Sequence, residues 1–309
     1  MVAPPSAAAH LRSGVIAGDY RGHLALLPPE LGAALAARIY QSDLAIRIDV
    51  RDNHSIVVLG YAGEPFLRLD PRGVAVNASS TTAASAQLLA KTQRPDGSRV
   101  VWRERQNRRS VVWHDARTRG ASHGNGVTTW TIPLVVDGRR ALLTGSTERV
   151  GRPAAWPWLI ACGLVLGVLL AAVAADRRRR GPLGAVALAG ALIGIAAMTA
   201  SAIGFAADRY ASGFTWFVAA DELVLAAVGV TILARSRGLA RHGSAAGLGL
   251  LALLGSGLGG GALFHGVVLS ALPTPAARAA VAIGLGAGAV AAVAGTVSLF
   301  SDAELLQVS

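Results

Sequence analysis

Long apolar runs fill the second half of the chain, whereas the first half alternates short apolar and polar stretches. A helix that crosses a membrane needs about 20 apolar residues, because the hydrocarbon core is about 30 Å thick and each residue adds about 1.5 Å. The runs predict five transmembrane helices, over 156–175, 183–207, 214–234, 245–272 and 279–300. The chain is therefore expected to divide into an N-terminal domain over 1–153, a five-helix transmembrane bundle over 154–301 and a tail over 302–309.

The N-terminal half carries the period-two pattern of half-buried β-strands. Apolar and polar residues alternate over 44–50, and a second apolar stretch follows at 56–59 after an Asp-Asn turn. Further short apolar stretches are separated by turn residues at 70–73, 95–97 and 137–138. Short strands with this turn chemistry are typical of a β-sandwich. The sequence therefore predicts a membrane protein with an N-terminal β-sandwich-like domain.

A glycine-rich stretch over 255–261 interrupts the fourth predicted span. Each glycine weakens a helix by about 1 kcal/mol relative to alanine, so the stretch favours close packing, a tilt or a break. Glycine pairs at helix-packing spacing occur in the second and fifth spans, Gly190 with Gly194 and Gly284 with Gly288. These pairs favour a compact bundle.

Basic residues in the short connectors predict the orientation. The connectors after the first and third spans carry arginines within 177–180 and 235–241, whereas those after the second and fourth hold only Arg209 and Arg278. Because Arg and Lys accumulate on the cytoplasmic side, the N-terminal domain is expected to be extracytoplasmic and the tail cytoplasmic. We thus expect a multi-pass protein of the cell membrane, with the lipid bilayer as a partner and no nucleic acid.

Residues 1–13 are rich in Ala and Pro. They resemble the cleavage end of a secretory signal without its basic and apolar regions, so we expect them to be the remnant of a signal peptide. The alternative is that the first span itself directs export of the domain before it.

Composition and charge agree with this division. Hydrophobic residues make up 52% of the chain and charged residues 15%, against about 25% charged in an average soluble domain. The formal net charge is +11, which favours acidic partners or anionic lipid headgroups. Arginines over 99–119, interleaved with Trp102 and Trp113, predict a basic strand face that meets solvent or anionic lipid. Cys162 is the only cysteine, so no intramolecular disulfide can form.

Ionisable side chains inside the predicted spans are candidates for function, because a charge near the bilayer centre costs at least about 2.5 kcal/mol. Asp221 and Glu222 of the third span and His265 of the fourth are predicted at one depth, in the outer half of the membrane, and form a candidate intramembrane polar site. Cys162 and Met198 fall at a similar depth. The groups could tie helices together through a carboxylate–imidazole pair, form a proton relay, or hold copper or zinc.

Several stretches of the N-terminal domain carry a resemblance. The sequence GYAGEPFLR over 60–68, WHD over 113–115, GDYR over 18–21 and the stretch 130–138 resemble an uncharacterised family of actinobacterial integral membrane proteins with an extracytoplasmic β-domain. The resemblance covers most of this domain and implies its architecture and compartment, but no activity. The chain has fewer histidines after 113–115 than the members it resembles, which weakens the periplasmic metal site that those members suggest.

Side chains within and near these motifs supply further candidates. His114, Asp115 and His123 are a possible ligand set for a divalent metal, the alternative being a His–Asp hydrogen bond at a strand end. Glu64 is expected to form an ion pair with Arg68 at the end of a hairpin.

No catalytic signature occurs in the sequence, neither a nucleophile elbow, a phosphate loop nor a His-Glu-x-x-His motif. We therefore predict a non-enzymatic protein of the cell envelope, without a cofactor, whose exported domain binds an unidentified envelope protein or ligand. The alternative is copper-type metal handling or transport in the outer half of the membrane. The candidate ligands of that alternative are Cys162, Met198, Glu222, His265, His114, Asp115 and His123.

Overall fold

The computed structural model describes residues 16–89, 99–120, 126–179, 182–208, 211 and 213–308. The chain forms two compact units, Met1–Val150 and Gly151–Ser309. The first unit is built on antiparallel β-sheets. The second is helical, and three of its helices are long and apolar enough to span a membrane, Leu183–Ala206, Gly213–Arg235 and Thr274–Phe300. The predicted order of a β-rich region followed by apolar helices is thus confirmed.

Short strands and two short helices make up the described part of the first unit. They are β1 (Ala17–Gly18), β2 (Tyr20–Leu24), α1 (Pro29–Ala34), β3 (Leu35–Tyr40), β4 (Ala45–Val50), β5 (Ile56–Leu59), β6 (Pro65–Asp70), β7 (Gly73–Asn77), α2 (Thr81–Ser85), β8 (Trp102–Gln106), β9 (Ser110–His114), a 3-10 turn (Ala116–Thr118), β10 (Val127–Val136) and β11 (Arg139–Arg149).

Two antiparallel sheets share one apolar core. The larger has the strand order β2-β11-β10-β5-β6-β7-β8, and the smaller has the order β3-β4-β9. Alternate residues of each strand point inward, so Ile46 and Ile48 of the smaller sheet and Ile132 of the larger are fully buried. Trp113 and Phe66 join the two sheets, because their ring centroids lie 6.0 Å apart at an interplanar angle of 73°.

Five long helices form the second unit. They are α3 (Trp156–Arg179), α4 (Pro182–Ala206), α5 (Gly213–Arg235), α6 (Leu239–Leu258) and α7 (Thr274–Val308), with a 3-10 turn (Gly260–Leu263) and the two-residue strand β12 (Val267–Val268) between α6 and α7. Helices α4, α6 and α7 approach closely at their glycines: a Cβ on Gly194 would lie 3.0 Å from the backbone nitrogen of Gly288, and one on Gly288 would lie 2.6 Å from that of Leu253. The close packing expected from the glycine pairs is present.

The fourth predicted span, over 245–272, is broken at the glycine-rich stretch, which is one of the outcomes expected there. Helix α6 begins earlier, at Leu239, and ends at Leu258, where the glycine-rich stretch gives way to the 3-10 turn. Arg278 of α7 stabilises the broken segment, because its guanidinium donates to the carbonyl oxygens of Ala262 at 2.9 Å and His265 at 2.8 Å. The predicted tail also differs, since α7 continues to Val308.

Candidate functional site

Glu222 is the ionisable side chain that α5 turns toward the interior of the helical unit. It is only 8% exposed, whereas its neighbour Asp221 is exposed. Consecutive residues on a helix point about 100° apart, so two adjacent carboxylates cannot face the same contact. Of the predicted pair, Glu222 alone lies inside the bundle.

Met198 of α4 and Gly255 of α6 lie against Glu222. The position that a Cβ on Gly255 would occupy is 2.5 Å from Met198 Sδ and 3.1 Å from Glu222 Oε1. The thioether and the carboxylate therefore converge on one small region, which exists because residue 255 has no side chain. The structure thus brings Glu222 of the predicted polar site near Met198, a candidate ligand of the alternative metal site.

Ser256 adds a buried hydroxyl beside this contact. Its side chain is fully buried, and its Oγ has no hydrogen-bond partner among the described residues. It points toward the Cα of Gly284 on α7, where a Cβ would overlap the hydroxyl and would lie 3.4 Å from the backbone nitrogen of Met198. Sequence analysis missed Ser256, although a serine inside a glycine-rich apolar helix is itself a signal of a polar contact.

The other predicted intramembrane residues lie elsewhere. Cys162 of α3 lines a cavity with Leu285 and Ala289 of α7. His265 follows the break after α6, and its carbonyl oxygen accepts from Arg278. In the described ranges, no group of three or more His, Cys, Asp or Glu side chains is arranged to hold a metal ion. His123 lies outside the described residues.

Glu64 of the 60–68 motif stabilises a turn and a helix N-terminus. Its Oε1 accepts from the Ser80 hydroxyl at 2.8 Å and from the Thr82 N–H at 3.2 Å, and its Oε2 accepts from the Ala62 N–H at 3.1 Å. A Cβ on Gly60 would overlap this carboxylate, so the motif needs glycine there. Burial opposes ionisation of Glu64, but the hydrogen bonds from Thr82 and Ser80 outweigh it and lower its pKa to about 2.

The expected ion pair between Glu64 and Arg68 is wrong. Arg68 instead pairs with Asp70 at 3.1 Å and with Glu104 at 2.8 Å, and its guanidinium lies 5.2 Å from the ring centroid of Trp102. Glu64 lies in the turn before β6, whereas the partners of Arg68 lie on β6 itself (Asp70) and on β8 (Trp102 and Glu104).

Asp115 of the 113–115 motif is fully buried and its oxygens are already bound. They accept from Trp113 Nε1 at 2.9 Å and from the Arg117 guanidinium at 2.9 and 2.7 Å. Arg117 also stacks on Tyr61, with 5.0 Å between the guanidinium carbon and the ring centroid. A hydrogen bond at this strand end runs from Trp113 Nε1 to Asp115, and His114 lies on β9 opposite Ala45.

Six exposed arginines lie on four turns at one end of the β-unit. The turns are β4–β5, β6–β7, β8–β9 and β10–β11, which share an end because their strands alternate in direction. We call these six residues the arginine turn cluster: Arg51, Arg72, Arg108, Arg109, Arg139 and Arg140.

Contacts between the turns hold the arginine turn cluster together. Arg109 Nη1 donates to the carbonyl oxygen of Asp52 at 2.8 Å, and the Asp137 carboxylate contacts His54 Nδ1 at 2.7 Å and accepts from the Ser55 N–H at 2.8 Å. The hydrogen bond from His54 lowers the pKa of Asp137. No member of the cluster forms an ion pair with another described residue, so the positive charge of this end stays available.

Sequence analysis placed the arginines of 99–119 on one strand face, and the structure separates them. Arg105 is half-buried and donates to the carbonyl oxygen of Leu88, and Arg117 pairs with Asp115. Only Arg108 and Arg109 of that run join the cluster, whose other members are distant in sequence.

Comparison of the chain with protein-family models, curated proteins and solved structures gives no match.

Proposed function

We propose that the protein is a non-enzymatic, multi-pass membrane protein of the cell envelope whose β-unit lies outside the cytoplasm and binds a polyanionic partner through the arginine turn cluster. The observation that carries this proposal is a set of six exposed arginines on or next to four turns at one end of the β-unit, without ion pairs to other described residues. The partner presents closely spaced carboxylate or phosphate groups, which arginine binds with two parallel hydrogen bonds.

All five long helices are proposed to cross the membrane. Helix α3 has 24 residues, which gives about 36 Å and is enough for the hydrocarbon core. The apolar part of α6 is shorter, and the 3-10 turn Gly260–Leu263 extends it at about 2 Å per residue. Non-helical backbone is tolerated in a membrane where its polar groups are satisfied, and Arg278 supplies donors to Ala262 and His265.

The distribution of arginine supports the orientation. Arg235, Arg237 and Arg241 are all exposed around the α5–α6 connector. Arg278, on the opposite side of the proposed bilayer, binds backbone carbonyl groups. Freely solvated arginine therefore accumulates on the side that the positive-inside rule assigns to the cytoplasm.

The cluster lies at the end of the β-unit away from the last residue of that unit. Strand β11 runs from Arg139, in the cluster, to Arg149 beside the last residue of the unit, and its length is about 34 Å at about 3.4 Å per residue. The arginines thus lie at the opposite end of the unit from Val150, where the chain continues to the helices.

The resemblance carried by 60–68 and 113–115 supports the proposal that the chain belongs to the actinobacterial family.

Binding is tested with the full chain in nanodiscs of zwitterionic lipid. Labelled polyglutamate and polyphosphate are titrated separately, and the triple variant Arg72→Gln, Arg108→Gln, Arg140→Gln is expected to bind the preferred polymer at least about tenfold more weakly, since each arginine near an anionic surface contributes up to about 1 kcal/mol. The matched control removes the same charge elsewhere on the unit, at Arg21, Arg38 and Arg119, which are also exposed.

Equal loss of affinity in the two triple variants would contradict a specific cluster, and so would no binding of either polymer at low salt. Binding to vesicles of anionic lipid, but to neither polymer, would make the bilayer the partner instead. Raising the salt concentration should weaken binding of wild type more than that of the cluster variant.

Topology is tested separately, in a Cys162→Ala background. A membrane-impermeant thiol reagent should label a cysteine at exposed Asn53, in the β4–β5 turn, in intact cells. A cysteine at exposed Arg237, in the α5–α6 connector, should react only after the cells are opened. The reverse pattern would overturn the orientation.

A further inference from the structure

Glu222 occupies an unusual place for an acidic residue. It is buried on a helix apolar enough to span a membrane, and its carboxylate faces Met198 and Gly255. A buried carboxylate without a partner costs several kcal/mol, whereas the neutral acid costs far less. The residues around Glu222 therefore decide whether its side chain is held as the carboxylate or as the neutral acid.

No positive charge compensates Glu222 in the part of the chain that the structure describes. Helix α4 carries no ionisable residue, and α6 carries Arg241 and His242 only in its first turn, at the other end from Gly255. His242 packs against Gly184 near the beginning of α4. On α5 itself the adjacent ionisable residue is Asp221, which is acidic and supplies no positive charge.

A second buried polar group lies beside the site. The hydroxyl of Ser256, next to Gly255 on α6, is fully buried without a hydrogen-bond partner among the described residues. Such a group is costly to bury, and it can both donate and accept a hydrogen bond. Its Oγ is directed at Gly284 of α7, so Ser256 is a neighbour of the site and not a partner of the Glu222 carboxyl.

We propose that Glu222 is a reversible proton-binding site in the interior of the helical unit. The carboxylate takes one proton from water, the neutral acid is the form held between α4, α5 and α6, and release returns the proton to water. The proposal is independent of the polyanion-binding function, since it concerns different residues in the other unit.

Dicyclohexylcarbodiimide tests the site, because this apolar reagent reacts with buried carboxylic acids and not with carboxylates. The acid proton moves to a carbodiimide nitrogen, the carboxylate oxygen bonds to the central carbon, and rearrangement leaves a stable N-acylurea. The full chain in neutral-lipid nanodiscs is treated at a series of pH values, and mass spectrometry of peptides locates the adduct. We expect the adduct at Glu222, with a rate that falls about tenfold per pH unit above the titration midpoint.

The variant Asp221→Asn is the matched control and should keep the adduct, whereas Glu222→Gln should lose it. Replacement of Ser256 by Ala should leave the adduct and its pH profile unchanged, because the Ser256 hydroxyl is directed at Gly284 of α7. The pH profile of the wild type keeps the test decisive if a variant fails to fold. Absence of an adduct at Glu222, an adduct at Asp221 instead, or a rate independent of pH would overturn the proposal. Protection by sodium ions at constant pH would also overturn it, because the ligand would then be a metal cation.

Discussion

Replacing Glu64 by Gln tests whether the 60–68 motif stabilises the β-unit through an ionised carboxylate. The substitution keeps the size and shape of the side chain but removes its charge. The side chain of Gln accepts with one oxygen only, so the N–H of Ala62 and the donors from Ser80 and Thr82 can no longer all be satisfied. We expect the free energy of unfolding to fall.

The expected loss of unfolding free energy follows from the pKa of Glu64. Folding lowers the pKa of Glu64 from its ordinary value of 4.5 to about 2, which corresponds to about 3 kcal/mol at about 1.4 kcal/mol per tenfold change. Glu64 is only partly buried, and solvent screening reduces the expected loss to about 1.5–2 kcal/mol. Because the folded-state pKa is the lower one, this stabilisation is complete above pH 4.5 and is lost as the pH falls toward 2.

The measurement is urea denaturation of the full chain in detergent, followed by near-ultraviolet circular dichroism, to which Trp113 in the core of the β-unit contributes. At pH 7 the Glu64→Gln variant should be less stable than wild type by the stated amount, and at pH 3 the difference should shrink by about half or more. The exposed carboxylate of Glu30 provides the control Glu30→Gln. A loss at pH 7 no larger than that of the control, or the same loss at both pH values, would refute the reasoning.

Two further substitutions test the interiors of the units. Asp115→Ala should destabilise the β-unit by about 3 kcal/mol or more, because it leaves the guanidinium of Arg117 without its carboxylate; exposed Asp52→Ala is the control, and equal effects in urea denaturation would argue against the buried pair. Gly288→Val should strongly lower the thermal midpoint of the helical unit, because a Cβ at this position would lie 2.6 Å from the backbone nitrogen of Leu253. The control is Gly247→Val, since a Cβ on Gly247 would have no heavy atom within 4 Å. Equal thermal midpoints of the two variants, measured by far-ultraviolet circular dichroism, would contradict this packing.

Local sequence patterns predicted strands and helices, but they could not predict features that depend on contacts between residues far apart in the sequence. The alternation over 44–50 predicted the strand that the structure shows as Ala45–Val50, because burial of every second residue leaves a mark in the sequence itself. The end of α6 at Leu258 depends on how many glycines a helix tolerates and on donors from Arg278, which is 20 residues further along. The sequence also did not show in which direction each side chain points around the axis of α5. Asp221 and Glu222 were predicted at one depth in the membrane, and the packing of α5 shows that only Glu222 is buried.

The carboxylates of two sequence motifs, Glu64 of 60–68 and Asp115 of 113–115, lie at the end of the β-unit opposite the proposed binding surface. Glu64 fixes the β5–β6 turn and Asp115 fixes the segment after β9, and strand directions put both away from the arginine turn cluster. Substitution of the arginines leaves both networks unchanged, because neither network involves the four arginine-bearing turns. A resemblance in 60–68 and 113–115 therefore predicts architecture, and the charge on the turns at the other end is where partner preference can change independently.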